Sequence, residues 1–257
     1  MNIYFNDKKL LNQLNNNVIK SLLIGSRLYG TANDYSDTDY LLIYLDPSFS
    51  FYWEHHQLQY KGDNTDYNFV ELRNFVRNIL TGDSTINLEV LFSNQIDKYS
   101  KLNFLNDFKY DFINYNIIRS YLGQAKRDLK TFQRKKDFKK LAHSFRGYIF
   151  AYQLFYKKDL DVKMETRIFD ITISDREYYL DILDGKKISK NELKVLISDL
   201  RDEVNKAFEK RKLHKMMSVE KLKELDKYVK EIYNRSNFKT INYGNILYDV
   251  LENGIVY

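Results

Sequence analysis

Two aspartates stand one residue apart at the start of an apolar segment, in the sequence Asp37-Thr38-Asp39. The segment from Thr38 to Leu45, TDYLLIYL, predicts a buried strand. Because side chains alternate between the two faces of a strand, Asp37 and Asp39 should project to the same side. Neighbouring carboxylates repel each other unless a cation lies between them, and Mg²⁺ is typically bound by a few carboxylates together with substrate phosphates. The pair therefore predicts a site for a hard divalent cation.

A glycine-serine pair, Gly25-Ser26, follows a second apolar segment, VIKSLLI from Val18 to Ile24, which also predicts a buried strand. Such a pair between a strand and a helix start lets backbone N–H groups and a hydroxyl approach a phosphate closely. Ten residues separate Ser26 from Asp37, enough to return the chain so that the acidic strand lies beside the turn. Alone, each motif is usually a turn or a solvated strand edge. Their combination favours a site for a metal-bound phosphate.

The elements that must position these residues change character along the chain. In the first hundred residues, further strands are predicted at Leu58 to Lys61 and Thr65 to Val70, joined by the turn Gly62-Asp63-Asn64. Helices are predicted at Asp7 to Leu14 and Glu71 to Leu80. The segment Ile86 to Phe92 is predicted to be a short helix or strand. From Phe104 onward, apolar stripes of helical period cover Ile113 to Phe132, Lys139 to Tyr156, Asn191 to Phe208 and Val219 to Tyr233, with a loop or irregular insertion at Lys157 to Ser174. The sequence therefore predicts an α+β protein, with a mixed-sheet domain at residues 1–100 and a helical domain at residues 101–257.

The composition limits the kinds of protein and metal site that are possible. The chain has 257 residues, of which 44% are hydrophobic and 16% aromatic, too many for a disordered chain. It has no apolar run long enough for a membrane span and no signal-peptide core, so we expect a soluble cytoplasmic protein with no membrane partner. The absence of cysteine excludes disulfides and thiolate sites, and the four scattered histidines do not suit a zinc cluster. Any metal should therefore be held by carboxylates.

The charge distribution is compatible with a polyanionic ligand. The net charge is +6 and the pI about 9.0. One basic run consists of Lys126, Arg127, Lys130, Arg134, Lys135, Lys136, Lys139 and Lys140, and a second of Lys206, Lys210, Arg211, Lys212, His214 and Lys215. These runs could follow a nucleic-acid backbone or could be solvated helix ends, and the sequence leaves both interpretations open.

The combined pattern G-S-x10-D-x-D resembles the signature of the polymerase-beta-like nucleotidyltransferase superfamily. Within it, the chain is most similar to the RNA-ligase-associated, RlaP-like nucleotidyltransferases of bacteria and phages, which carry G-S-R-x-Y-G at the turn, as Gly25 to Gly30 does here. Softer matches are Asp66 with the helix start at Leu72-Arg73, Gly82-Asp83, the segment Leu88 to Ser93, and the pair His143 and Arg146. The similarity extends from about Ser21 to Leu213, with Asp83-Ser84 where many members have Asn-Pro.

The resemblance implies a metal-dependent enzyme that moves an NMP from an NTP to an acceptor hydroxyl and releases pyrophosphate. Asp37 and Asp39 would hold two Mg²⁺ ions, for which Mn²⁺ can substitute. Asp66 would join them as the third metal ligand and as a catalytic carboxylate that helps to remove the proton of the attacking hydroxyl. Asp63 is the rival for this role, but it stands in a Gly-Asp-Asn turn, which is a normal structural place for aspartate.

The resemblance also implies which residues bind the NTP, for which ATP is the first expectation. Gly25, Ser26 and Arg27 would hold the β- and γ-phosphates. His143 and Arg146, three residues apart, share a helix face that lies roughly opposite the apolar stripe, so they point either to solvent or into the cleft between the domains. The resemblance favours the cleft, where Arg146 could bind the triphosphate or the acceptor.

Three classes of acceptor remain open from the sequence. An RNA or other nucleic-acid end, such as that of a tRNA, is the first expectation, because of the RlaP-like resemblance and the basic runs. A hydroxyl of a partner protein is the second, and a small molecule the third. A non-enzymatic module that binds NTP or nucleic acid is disfavoured, because all three aspartates are present.

Overall fold

The strands form one mixed sheet with the acidic strand close to its middle. The computed structural model describes residues 2–4, 15–46, 57–62, 64–157, 159–164, 175–186, 190–210, 212–214 and 217–236. Among these residues, the strands are β1 (Asn2–Tyr4), β2 (Val18–Ile24), β3 (Thr38–Tyr44), β4 (Gln57–Lys61) and β5 (Thr65–Glu71), in the order β1-β4-β5-β3-β2. β3 is parallel to β5 and antiparallel to β2. The strand that follows Asp37 is therefore flanked by the strand of Asp66 and by the strand that leads into Gly25.

Helices make up most of the remaining described chain. They are α1 (Gly25–Leu28), α2 (Leu72–Thr81), α3 (Thr85–Phe92), a 3-10 helix (Asn103–Phe108), α4 (Tyr115–Lys135), α5 (Phe138–Tyr156), α6 (Asp175–Leu183), α7 (Lys190–Glu209) and α8 (Val219–Arg235). The predicted α+β class, with a mixed sheet followed by helices, is confirmed. Buried side chains from Leu22 to Tyr233 belong to one continuous hydrophobic core, and a division into two domains near residue 100 stays a prediction.

The two faces of the sheet pack differently, and this places the acids. Along β3, Leu41 and Ile43 belong to the main core under the helices, whereas Leu42 and Tyr44 belong to a smaller cluster on the opposite face. Because side chains alternate along a strand, Asp39 lies on the same face as Leu41 and Ile43. The acidic end of β3 therefore opens beside the helical layer.

The helix that follows β5 is fixed at both ends by local chemistry. At its start, the carboxylate of Glu71 accepts hydrogen bonds from the backbone N–H groups of Arg73 at 2.9 Å and Asn74 at 3.3 Å, which is N-capping. At its end, Gly82 adopts a left-handed conformation with φ of 76°, and a Cβ there would lie 2.8 Å from the carbonyl oxygen of Asn116. The turn therefore requires glycine and brings α2 against the start of α4.

Helix α5 is buried more completely than its predicted apolar stripe indicates. Ser144 donates a hydrogen bond to the carbonyl of Ala125 at 2.7 Å, and a Cβ added to Gly147 would lie only 3.3 Å from the Cβ of Ala125. Small residues thus let α4 approach α5 closely on a second side of the helix. The prediction of one stripe was too narrow, because small residues pack closely without adding to an apolar pattern.

Most of the predicted elements are confirmed, with boundaries shifted by a few residues, and the ambiguous segment at Ile86 to Phe92 is helical. Helix α6 was not predicted. Several predictions lie outside the described residues: the helix at Asp7 to Leu14, the third-acid rival Asp63, the later part of the loop before α6, and the basic residues Arg211 and Lys215. Within the described ranges, every helix is too short or too polar to span a lipid bilayer.

Candidate active site

The structure brings the three predicted acids together at one end of the sheet. Asp39 and Asp66 are register partners on the parallel strands β3 and β5, and Asp37 stands immediately before β3. One carboxylate oxygen from each of the three lies within 4.8 Å of the others. Asp37 is exposed, and Asp39 and Asp66 are partly buried. The cluster is therefore open to a ligand on one side and held by the sheet on the other.

The electrostatics of the cluster suit a divalent cation. Burial raises the pKa of Asp39, and the negative charges of Asp37 and Asp66 raise it further, against the opposing charges of Lys139 and Lys61. Two lysine charges therefore stand against three carboxylates at this place. Carboxylate oxygens are the ligands that Mg²⁺ and similar hard cations prefer. The residues present therefore fit a divalent metal site.

Gly25 permits the close approach between the turn and the acid cluster. It follows Ile24, the register partner of Asp39 on the neighbouring strand, and has a φ of 70°. A Cβ at this position would run into the Asp39 carboxylate, with the Cγ only 3.1 Å away. Ser26 follows in the first turn of α1 and is partly buried. The Gly-Ser pair therefore lies against the acids, and its contact with a phosphate stays a prediction.

Arg27 fixes the loop that carries Asp37 into the site. Its Nη2 donates a hydrogen bond to the carbonyl of Ser36 at 2.6 Å, and its Nε donates to the carbonyl of Asp37 at 3.3 Å. The side chain is nevertheless exposed. Its described contacts position the acidic loop, and the predicted contact with the β- or γ-phosphate stays a prediction.

Two lysines supply positive charge beside the acids. Lys61 is the register partner of Asp66 across the β4–β5 hairpin, and Lys139 lies in the first turn of α5. The charges of both oppose the raised pKa of Asp39. From the sequence, Lys139 was predicted only as part of a basic run, and Lys61 was not predicted to lie near the acids. Lys61 could have been found from its position directly before the predicted turn, because a hairpin at that turn places it opposite Asp66 on the next strand.

Comparison with known proteins decides the family. The family model of RlaP, described as the RNA repair pathway DNA polymerase beta family, matches residues 7–231. The chain belongs to this family. Among solved structures, a nucleotidyltransferase-like protein from Exiguobacterium sibiricum 255-15 is similar over 90% of this chain and 79% of its own, with 11% sequence identity and a TM-score of 0.30. No curated protein matches. Membership in the RlaP family places the protein among polymerase-beta-type nucleotidyltransferases.

Arg146 of this RlaP-family chain points inward and packs against the turn. Its guanidinium carbon lies 4.0 Å from the centre of the Tyr29 ring, and the Tyr29 hydroxyl donates a hydrogen bond to the buried Glu89. Burial lowers the pKa of Arg146, but electrostatic interactions with Tyr29, Tyr179 and Glu89 outweigh this effect and raise it. Of the two directions left open by the sequence, Arg146 takes the inward one, although the residue is partly exposed. Its binding of triphosphate or acceptor stays a prediction.

His143, one turn before Arg146, is held in its neutral form. Burial, together with the charges of Arg146, Lys140 and Lys139, lowers its pKa to about 3 from an ordinary value of 6.5. A neutral imidazole cannot attract a triphosphate by its charge near pH 7. The predicted role of His143 in binding the nucleotide is untested, and it would have to rest on hydrogen bonding alone.

The buried neutral state of His143 should make stability depend on pH. Below about pH 6.5 the unfolded chain binds a proton that the folded protein excludes until about pH 3, so this contribution to stability falls as the pH drops through that window. When the pH falls from 7 to 5, the free energy of unfolding should therefore decrease by about 1–2 kcal/mol less in His143→Gln than in the wild type. Urea unfolding at both pH values measures this, with the exposed His214→Gln as control. Parallel losses in wild type and His143→Gln would contradict the assignment.

Proposed function

We propose that this protein is a Mg²⁺-dependent nucleotidyltransferase that moves an NMP, from ATP in the first instance, to a hydroxyl at an RNA end. The observation that carries the proposal is the set of three carboxylate oxygens of Asp37, Asp39 and Asp66 within 4.8 Å of one another. The turn at Gly25 and Ser26 lies directly beside them. This combination provides for metal ions and phosphates at one place, as transfer from a nucleoside triphosphate requires.

Each residue has a defined task in the proposed reaction. Asp37, Asp39 and Asp66 would hold two divalent ions, either Mg²⁺ or Mn²⁺. When bound, such ions supply positive charge that stabilises the attacking and leaving oxygens. Gly25 and Ser26 would hold the β- and γ-phosphates, and Lys61 and Lys139 stand on the same side to add positive charge.

The transfer itself is an in-line displacement at the α-phosphorus. The acceptor oxygen forms a bond to the α-phosphorus and gives its proton to Asp66 acting as general base. The bond from the α-phosphorus to the bridging oxygen breaks, and pyrophosphate leaves with that electron pair. The protein contributes mainly positioning and charge stabilisation, the two effects that dominate in phosphoryl and nucleotidyl transfer.

An RNA end is the acceptor that the observations favour most. The matching family is described by an RNA repair pathway, and the helical part carries a basic surface. A hydroxyl of a partner protein and a small molecule are the competing acceptors. The competing acceptors differ in where the transferred nucleotide would be found.

The proposal is tested by incubating the purified protein with Mg²⁺ and each NTP labelled at the α-phosphate, with and without total tRNA. We expect label to enter RNA, pyrophosphate to be released, and both to stop when EDTA removes the metal. Label that enters a protein or a small molecule instead would refute RNA as the acceptor. Failure to bind any NTP in the presence of Mg²⁺ or Mn²⁺ would overturn the nucleotidyltransferase assignment itself.

A further inference from the structure

Helices α4 and α7 enclose a groove with basic walls and an apolar floor. Its volume is about 380 Å³, and it is lined by Lys126, Leu129, Lys130, Gln133, Lys194, Ile197, Ser198 and Arg201. Leu129 and Ile197 form the floor and are almost completely buried. Four of the lining residues are cations, and the described lining contains no carboxylate.

The positive surface continues from this groove onto the adjacent side of α4. A second hollow there is lined by Arg127, Lys130, Thr131, Gln133 and Arg134. Lys126, Lys130 and Gln133 are spaced by four and three residues, so they lie on one helix face. We call the two hollows together the basic groove. Its six cations are Lys126, Arg127, Lys130, Arg134, Lys194 and Arg201.

The cations of the basic groove are largely unneutralised. Lys140, nearby in sequence, is paired with Asp128 at 3.1 Å, and Arg201 lies 3.7 Å from Asp202. Among the described residues, Lys126, Lys130 and Lys194 form no ion pair with a carboxylate. A surface with this much free positive charge attracts a polyanion.

Helix α4, which forms one wall of the basic groove, is followed directly by the start of α5, near the acid cluster. From Lys126 to Arg134 helix α4 advances eight residues, or about 12 Å. The chain then turns at Lys136, and Lys139 in the first turn of α5 is near enough to Asp39 for their charges to interact. A nucleic-acid strand lying along α4 would therefore have its end directed to the aspartates.

We propose that the basic groove binds the phosphate backbone of single-stranded RNA whose end is presented to Asp37, Asp39 and Asp66. This inference rests on the proposed function and names the surface that holds its acceptor. The cations of the walls would form ion pairs with the phosphates. The apolar floor of Leu129 and Ile197 would pack against the ribose and base faces of one strand. Neutralising phosphates with lysine and arginine releases counterions, so the binding is strongly salt-dependent.

The test compares two lysine pairs with the same spacing and the same loss of charge. Lys126→Gln/Lys130→Gln changes the groove, and Lys223→Gln/Lys227→Gln changes exposed lysines on α8. Binding of a fluorescein-labelled single-stranded RNA is measured by anisotropy across a KCl series. The groove pair should weaken binding about tenfold and reduce the slope of log K against log salt by about 1.4, or about 0.7 per lost phosphate contact. The α8 pair should stay within about twofold of the wild type.

Thermal shift with ATP and Mg²⁺, measured on the same variants, separates this inference from the proposed function. The groove pair should retain the wild-type shift. RNA binding equal to wild type in the groove pair would overturn the inference and leave nucleotidyl transfer unaffected. A wild type that binds polyglutamate but not RNA would also overturn it. If the groove pair loses RNA binding while no form of the protein binds ATP, the groove is supported and the proposed function fails.

Discussion

Replacing Asp39 by asparagine should abolish nucleotidyl transfer while leaving the protein folded. Asp39 stands between the other two acids, as the register partner of Asp66 and beside Gly25. Asparagine has the same shape but carries no negative charge, so it weakens the hold on divalent ions at the centre of the cluster. A loss of several kcal/mol of transition-state stabilisation corresponds to a fall in rate of about 10³-fold or more. Label transfer from α-labelled ATP measures it.

The stability of the same variant distinguishes a metal ligand from a structural residue. Burial and the charges of Asp37 and Asp66 raise the pKa of Asp39, so the metal-free fold stabilises its ionised form less than water does. Asp39→Asn removes this repulsion and should leave the metal-free melting temperature equal or higher. In contrast, the rise in melting temperature that Mg²⁺ with ATP produces in the wild type should be lost.

Asp34→Asn is the matched control, because Asp34 lies on the same loop, is exposed, and stands outside the acid cluster. It removes the same charge and should keep nearly full transfer activity. Asp37→Asn and Asp66→Asn should behave like Asp39→Asn. Normal turnover in any of the three would remove that residue from the site, and a metal-free fold that collapses in Asp39→Asn would show a structural role instead.

The acid cluster illustrates what local sequence pattern can predict. Asp37 and Asp39 were predictable because alternation along a strand depends only on spacing, and Gly25-Ser26 because a strand that ends in glycine requires a turn. Asp66 was implied only by resemblance, since the register that pairs it with Asp39 joins strands distant in sequence. Arg176 was not predicted at all, and its Nε donates a hydrogen bond to the carbonyl of Gly30 at 2.7 Å across 146 positions. No local pattern carries such a contact.

The surroundings of Arg146 show the limit of helical periodicity. A spacing of three from His143 correctly put both residues on one face, but the period could not show what that face meets. Tyr29 is 2% exposed and lies directly under the Arg146 guanidinium. A partly buried cation such as Arg146 is stable only when the aromatic rings and the carboxylate around it are all in place. That arrangement is a property of the tertiary fold.

Arg146→Met should accordingly destabilise the protein by about 3 kcal/mol. The substitution keeps an apolar stem but removes the cation whose charge acts on Tyr29 and Glu89, and it leaves the Glu89 carboxylate buried. Breaking a direct buried ion pair typically costs about 3–5 kcal/mol. Arg146 acts on Glu89 at longer range and is partly exposed, so its removal should cost an amount at the lower end. Guanidinium chloride unfolding measures the change. Arg134→Met, an exposed arginine on α4, should change stability by less than about 0.5 kcal/mol.

A double-mutant cycle with Glu89→Gln then tests whether the two charges act as a pair. Glu89→Gln alone should also destabilise, because Arg146 would remain as an uncompensated cation. Arg146→Met/Glu89→Gln removes both charges, so its loss should be smaller than the sum of the two single losses by about 1–3 kcal/mol. Additive losses would contradict the coupling. A double variant that regains stability but transfers nucleotide poorly would show a second role for the pair. Arg146 and Glu89 would then also hold Tyr29 in place, and Tyr29 would position the turn at Gly25 beside the acid cluster.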